Sequence, residues 1–204
     1  SMLQGQRHEL GAELVKQPLV KAVAFTGSQS AGRTLFDLAA ARPEPILVFA
    51  EMGSVNAIFL LPEALTSGGA ELAAQYADSV ALGVGQFCSK PGVLFALKEP
   101  DLQAFTVAVA ERQAQVGAGV MLNDGIKQNY QAAFDRLAGR PGVDCLRKVM
   151  EEGCRASPAL LQASADSFLA DPQLAEEVFG PSAIIIACDS REQMLACATT
   201  LPGQ

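Results

Sequence analysis

The chain has a single histidine, His8, among its 204 residues, and that scarcity removes one kind of chemistry. A thiol nucleophile served by an imidazole base needs a histidine beside it, and His8 falls in a polar terminal stretch. Basic charge is also scarce. Fifteen Lys and Arg face 22 Asp and Glu, for a net charge of −7, and the cations are scattered singles such as Arg33, Lys90 and Arg147. Phosphate backbones bind basic surfaces, so nucleic acid is excluded as a main partner. No window approaches the roughly 18 unbroken apolar residues of a membrane span, so no membrane partner is expected. The opening SMLQGQRHEL lacks an apolar signal-peptide core. None of the five cysteines (Cys88, Cys145, Cys154, Cys188, Cys197) stands in a C-x-x-C pair, so no metal is expected. Their odd number and the missing signal make a reducing cytoplasm the expected location. Internal repeats, low-complexity tracts and linkers are also missing.

What is present is apolar: half of all residues, enough for a sizeable core. Short apolar runs predict strands over 21–27 (KAVAFTG), 46–50 (ILVFA), 56–61 (NAIFLL), 92–98 (GVLFALK) and 182–188 (SAIIIAC). The first two read as buried on both faces. Helical spacing predicts helices over 9–16, 28–43, 69–85, 100–116 and 126–139, and a last one in SREQMLACATTLPG. The segments GVDCLRKV and PALLQAS read as further strands, and ADSFLADPQLAEEVFGP as a short helix and a turn. Alternating strands and helices predict an α/β fold, a mostly parallel sheet with flanking helices.

Four stretches carry candidate chemistry. TGSQSAGR (26–33) follows a strand and opens a helix, whose N-terminal amides favour an anion, and Gly27 and Gly32 allow close backbone approach. It nearly matches a P-loop, but Arg33 stands where that motif has lysine, and a planar fork does not replace a point charge. Glu51 ends the strand ILVFA, at the sheet end where ligands bind in open parallel sheets. Five apolar residues before it predict partial desolvation and a raised carboxyl pKa, so that it could act as a base; the alternative, favoured on this stretch alone, is a carboxylate that caps a helix or meets a surface lysine. Cys88 in GQFCSKPG lies in a glycine-flanked turn that neither helix nor strand holds. A thiol presented there can serve as a nucleophile, with Glu51 as the carboxylate the sheet would place nearby. The other four cysteines sit in apolar or helical contexts and read as small packed residues. EEVFGP (176–181) sets two acids, an aromatic and a Gly-Pro turn before the last strand.

In this order, these stretches resemble the aldehyde dehydrogenase superfamily. FTGSQSAG looks like its cofactor loop, FAEMGSVN its general-base motif, GQFCSKPG its nucleophile motif and EEVFGP its ribose-binding motif. VFAEMGSVNAIFLLPEAL with LGVGQFCSKPG is most similar to the 2-oxoglutarate semialdehyde dehydrogenase branch. The resemblance runs from about residue 10 to the end of the chain. It implies an oxidoreductase using NADP or NAD as cofactor and an aldehyde as substrate, in an assembly of identical copies. Cys88 matches the thiol that attacks the aldehyde, giving a thiohemiacetal and, after hydride loss, a thioester. Glu51 matches the base that activates water. The Cys88 N–H would contribute to an oxyanion site. Gly27, Ser28 and Gly32 match the pyrophosphate loop, Gly53 a glycine close to the nicotinamide, and Glu177 and Phe179 the residues at its ribose and ring.

Two departures shape the expectations. Gln29 stands where many relatives carry threonine. No counterpart is found for the family's oxyanion asparagine or its adenine-ribose lysine, and the chain ends at TTLPGQ, ahead of the family's final strands. The expected organisation is therefore the C-terminal part of a dinucleotide-binding domain over 1–50 and a truncated thiol-bearing catalytic domain over 51–204. Such a fragment is expected to be inactive as a dehydrogenase, because half a nucleotide site cannot position the nicotinamide. Two rival readings are a P-loop-like nucleotide hydrolase on GSQSAGRT and a non-catalytic, dehydrogenase-like interaction domain.

Overall fold

A computed structural model describes residues 2–5 and 9–201; His8 lies outside the described residues. The chain divides into two compact units between Gly53 and Ser54, where the sequence placed a boundary after residue 50. Among the described residues no helix is long and apolar enough to cross a membrane.

The first unit holds α1 (Glu9–Lys16), β1 (Ala22–Gly27), α2 (Gln29–Ala40) and β2 (Leu47–Met52). The strands pair in parallel, Ala22 with Leu47 through Gly27 with Met52. The Arg42 guanidinium donates from Nη1 to the carbonyls of Val15 and Val20, each at 2.9 Å, and so ties the loop after α1 to the end of α2. Helix α2 covers one face of the strand pair. At Gly32 an added Cβ would stand 2.2 Å from Met52 Sδ and 3.3 Å from the Phe25 ring. The other face is bare. Leu47 is 67% and Phe49 63% exposed, and Ala22 and Ala24 beside them are exposed as well. This corrects the expectation of two fully buried strands. Their continuous apolar runs suit a sheet covered on both sides, and the described residues of this unit supply a helix for only one.

The second unit is built on a five-stranded sheet ordered β3 (Ile58–Leu60), β4 (Val93–Leu97), β9 (Ser182–Cys188), β8 (Ala159–Ser164) and β6 (Val143–Arg147). Pairing is parallel except at the edge, where β6 runs antiparallel to β8. All seven residues of β9 are buried. Side chains alternate into two cores. Phe95, Leu161, Ile184 and Ile186 meet Phe168 of α6 (Ala165–Ala170) and Phe134 of α5 (Asp124–Ala138) on one face. Leu94, Leu160 and Ile185 meet Tyr76 of α3 (Pro62–Ala81) and Phe105 of α4 (Pro100–Gln115) on the other. The unit also contains α7 (Arg191–Thr200) and a small pair, β5 (Gly119–Val120) with β7 (Arg155–Ala156), which the sequence pattern did not announce.

Helix α3 starts seven residues earlier than the 69–85 prediction. Pro62 occupies its first turn, where a proline ring is preorganised and no N–H is missed. The chain kinks at Gly68, the first of a Gly-Gly pair, and then continues. After Ala81 a 3-10 turn, Leu82–Gly85, leads into the GQFCSKPG loop.

Candidate active site

At the carboxyl ends of β1 and β2, register places Thr26 beside Glu51 and Gly27 beside Met52. The Gly53 N–H donates to Gly27 O at 3.3 Å, and Gly53 takes φ +66°, a conformation that favours glycine. The cofactor-loop and base stretches thus share one end of this small sheet. Ser28 caps α2, its Oγ accepting from the Ala31 N–H at 3.3 Å. The first turn of α2 carries no acidic side chain, so its amides can hold an anion. Gly32 is glycine for packing against Met52.

Glu51 departs from expectation. It lies within β2 rather than after it, and its side chain is exposed on the uncovered face, so these residues do not supply the desolvation the sequence implied. Arg33 lies along its own helix, 3.7 Å from Asp37 and 5.1 Å from the centre of the Phe36 ring. That placement is no substitute for a P-loop lysine.

In the second unit Cys88 sits in a turn, as its glycine and proline neighbours predicted. The Lys90 N–H donates to Phe87 O at 3.1 Å, which leaves Cys88 and Ser89 at the corner, both exposed. The Cys88 carbonyl is clamped by two donors, Ser54 Oγ and Asn56 Nδ2. Asn56 also donates to Lys90 O at 3.3 Å. It does so from φ +47°, a left-handed conformation that asparagine tolerates better than most residues. Five free cysteines are present; only Cys88 and Cys145 are exposed, and Cys188 and Cys197 are buried. Burial pushes the Cys188 thiol up to about 12.

The EEVFGP stretch lies against the Cys88 loop. The Lys90 ammonium donates to Val178 O at 2.7 Å and to Ser182 O at 3.0 Å. Gly85, at φ +64°, packs so closely on Gly180 that a Cβ there would stand 2.2 Å from the Gly180 carbonyl oxygen. Glu177 is half-buried, and Phe179 is 38% exposed. Burial raises the Glu177 carboxyl pKa, against the opposing pull of the Lys90 charge and the Ser54 N–H. Burial lowers Lys90 to about 8, with the Glu177 charge acting the other way. Glu177 can accept hydrogen bonds from ligand hydroxyls, and the Phe179 ring offers a flat apolar face.

The four stretches therefore form two pairs. Gly27, Ser28 and Gly32 lie with Glu51 and Gly53 in the first unit, and Cys88 lies with Glu177 and Phe179 in the second. A family model described as the aldehyde dehydrogenase family matches residues 1–202. The chain belongs to the aldehyde dehydrogenase family. It is 41% identical over 206 residues to "Alpha-ketoglutaric semialdehyde dehydrogenase 2" of Azospirillum brasilense, covering 100% of this chain and 39% of that protein. It is 39% identical over 207 residues to "Alpha-ketoglutaric semialdehyde dehydrogenase" of Acinetobacter baylyi, again covering 100% of this chain and 39% of that one. The crystal structure of an NAD-dependent benzaldehyde dehydrogenase from Corynebacterium glutamicum superimposes with a TM-score of 0.78 over 97% of this chain and 43% of that one; at 21% identity this likeness concerns the fold alone. The chain spans about two-fifths of the length of these two curated relatives.

Ser54, Asn56, Gly85 and Lys90 were not singled out from the sequence as site residues. For Lys90 a signal existed: it is the only charged residue between Asp78 and Lys98. A lone cation in so apolar a stretch has to be buried or to project from a turn. Ser54 and Asn56 fall inside the base motif, which crosses the boundary between units, and no spacing rule marks them as clamps for Cys88.

Proposed function

We propose that the chain is the thiol-bearing part of an NAD(P)-dependent aldehyde dehydrogenase acting on an aldehyde of the 2-oxoglutarate semialdehyde class. The observation that carries this reading is Cys88, exposed at the corner of a turn whose carbonyl is clamped by Ser54 and Asn56. A thiol held that way is accessible and oriented, as a nucleophile must be. The substrate class rests on the two relatives at 41% and 39% identity.

In this reading the Cys88 thiolate adds to the aldehyde carbon, and the carbonyl electron pair moves onto oxygen, where the Cys88 N–H donates to it. A nicotinamide dinucleotide, which Gly27, Ser28, Gly53, Glu177 and Phe179 would hold, would supply the hydride acceptor for that carbon, and hydride loss would leave a thioester on Cys88. Glu51 then takes a proton from water as the water oxygen attacks the thioester. The C–S bond breaks, and Cys88 departs as thiolate while the product leaves as a carboxylate. The start of α2, with Gly27 and Ser28 and no acid in its first turn, fits a phosphate. Gly53 offers a backbone without a side chain, Glu177 fits ribose hydroxyls, and Phe179 fits a flat ring. The scheme requires a reducing compartment, because an oxidised Cys88 cannot attack.

The test is site-resolved. Iodoacetamide should alkylate Cys88 at least tenfold faster than the other exposed thiol, Cys145, and hydrolysis of an activated ester should vanish in Cys88→Ala. Equal alkylation of the two thiols, or unchanged ester hydrolysis, overturns the proposal. By itself the chain should not reduce NAD or NADP with aldehyde, as it spans two-fifths of its relatives' length. Turnover by the purified chain would refute that part alone.

A further inference from the structure

Lys90 is a costly residue for its place. It is 4% exposed, and among the described residues no carboxylate comes within ion-pair distance of it. Burying an ammonium without a contacting counter-charge costs several kcal/mol unless hydrogen bonds compensate. Here they do, and what they join is specific. The Lys90 backbone N–H closes the turn that carries Cys88, and its carbonyl accepts from Asn56. Its ammonium reaches Val178 O and Ser182 O, the two carbonyls that bracket Phe179, Gly180 and Pro181. Midway between those anchors, Gly180 is met by Gly85 from the same loop. Lys90 also lines a small cleft with Ser54, Glu176 and Glu177. An apolar residue of similar length would fill the space and leave two buried carbonyls without a donor.

We propose that Lys90 is a positioning residue: a strut that fixes the segment carrying Glu177 and Phe179 at a set distance from the turn carrying Cys88. The inference rests on the proposed function above, since the spacing matters only if thiol and ring-flanking side chains serve one reaction. It makes Lys90 the link through which the nucleophile loop and the ribose-side segment move together.

The burial of the charge supplies a test that can be read with Lys90 itself intact. If the segment opens, Lys90 meets water and regains its ordinary pKa of 10.5, whereas closed it sits at about 8. Between these values the open state binds a proton that the closed state lacks, so raising the pH favours the closed state. The titratable groups facing Lys90 are Glu176 and Glu177 from the segment and Cys88 from its own turn; the rest of the cleft wall carries none. Running the profile in Cys88→Ala removes the thiol, and running it in the Glu176→Gln, Glu177→Gln double variant removes the two carboxylates; the slope should persist in both.

The reporters are the Ser182 N–H, bonded to Gly180 O, and the Ala159 N–H, bonded to Pro181 O. Their amide-exchange protection, corrected for the intrinsic rate, should rise above pH 8 by up to about tenfold per unit. In Lys90→Met that slope should vanish. Protection of the same two amides should fall at least tenfold, while amides of Val93–Leu97 change less than twofold. A flat profile in the unaltered chain overturns the proposal even where the variant fails to fold. Loosening of Val93–Leu97 to the same degree as the segment also overturns it, because Lys90 would then be a general support. These outcomes are separate from Cys88 alkylation: equal reactivity of Cys88 and Cys145 sinks the functional reading and leaves the strut standing as architecture.

Discussion

Phe49 and Phe95 each sit at the middle of a parallel strand, within similar apolar runs, and end in opposite environments. Phe95 is fully buried, stacked on Phe59 at 4.9 Å and edge-on to Phe168 at 5.1 Å between ring centres. Phe49 is 63% exposed on the bare face of the β1–β2 pair. The two units differ in the same way. The second has cores on both sides of its sheet, whereas only Val15, Gly32 and Ala39 are buried among the described residues of the first. An apolar run therefore records the cover a strand is suited to, and the chain itself decides how much of that cover is present. Two paired strands with a helix on only one face make a marginal unit, and the contrast assigns most of the molecule's stability to residues after Gly53.

Four substitutions break or sharpen that contrast. The largest effect is expected for Phe95→Ala, which should cost about 3–5 kcal/mol, read as a lowered urea midpoint for amides of β4. Gly85→Ala comes next. It combines a left-handed backbone with a Cβ 2.2 Å from the Gly180 oxygen, and should cost about 1–3 kcal/mol, with loosening centred on residues 178–182.

Glu177→Gln should act more weakly and only through pH. The folded-state pKa of Glu177 is raised from 4.5, so its contribution to stability is fully present below 4.5 and is lost as pH rises through the raised value. The urea midpoint of the unaltered chain should therefore fall with pH in that window more steeply than that of the variant. Least of all, Phe49→Ala should change stability by no more than about 0.5 kcal/mol. If it matches Phe95→Ala in unit-resolved amide exchange, the contrast between the units is wrong.

Much of the fold could be read in advance because its signals are local. SAIIIAC is an unbroken apolar run and became the buried central strand; PDLQAFTVAVAERQAQV carries its own N-terminal proline and became α4. The turn at Cys88 was announced by its glycines and Pro91. Glu51 was misread because burial is a tertiary property: the residues before it are apolar, but nothing in the described first unit covers their outer face. Lys90 and Asn56 were missed because their partners lie far along the chain. Val178 and Ser182 are about 90 residues from Lys90, and the Cys88 carbonyl is 32 residues from Asn56. Such contacts leave no periodicity behind.

The exposure of Cys88 and Cys145 bears on how the molecule survives in air. Two accessible sulfurs per chain let molecules join end to end through mixed disulfides, and the bond that forms at position 88 silences the proposed nucleophile. Preparations stored without a reductant should accumulate covalent dimers and longer chains, visible on a non-reducing gel and dissolved by dithiothreitol, while Cys188 and Cys197 stay untouched in the core.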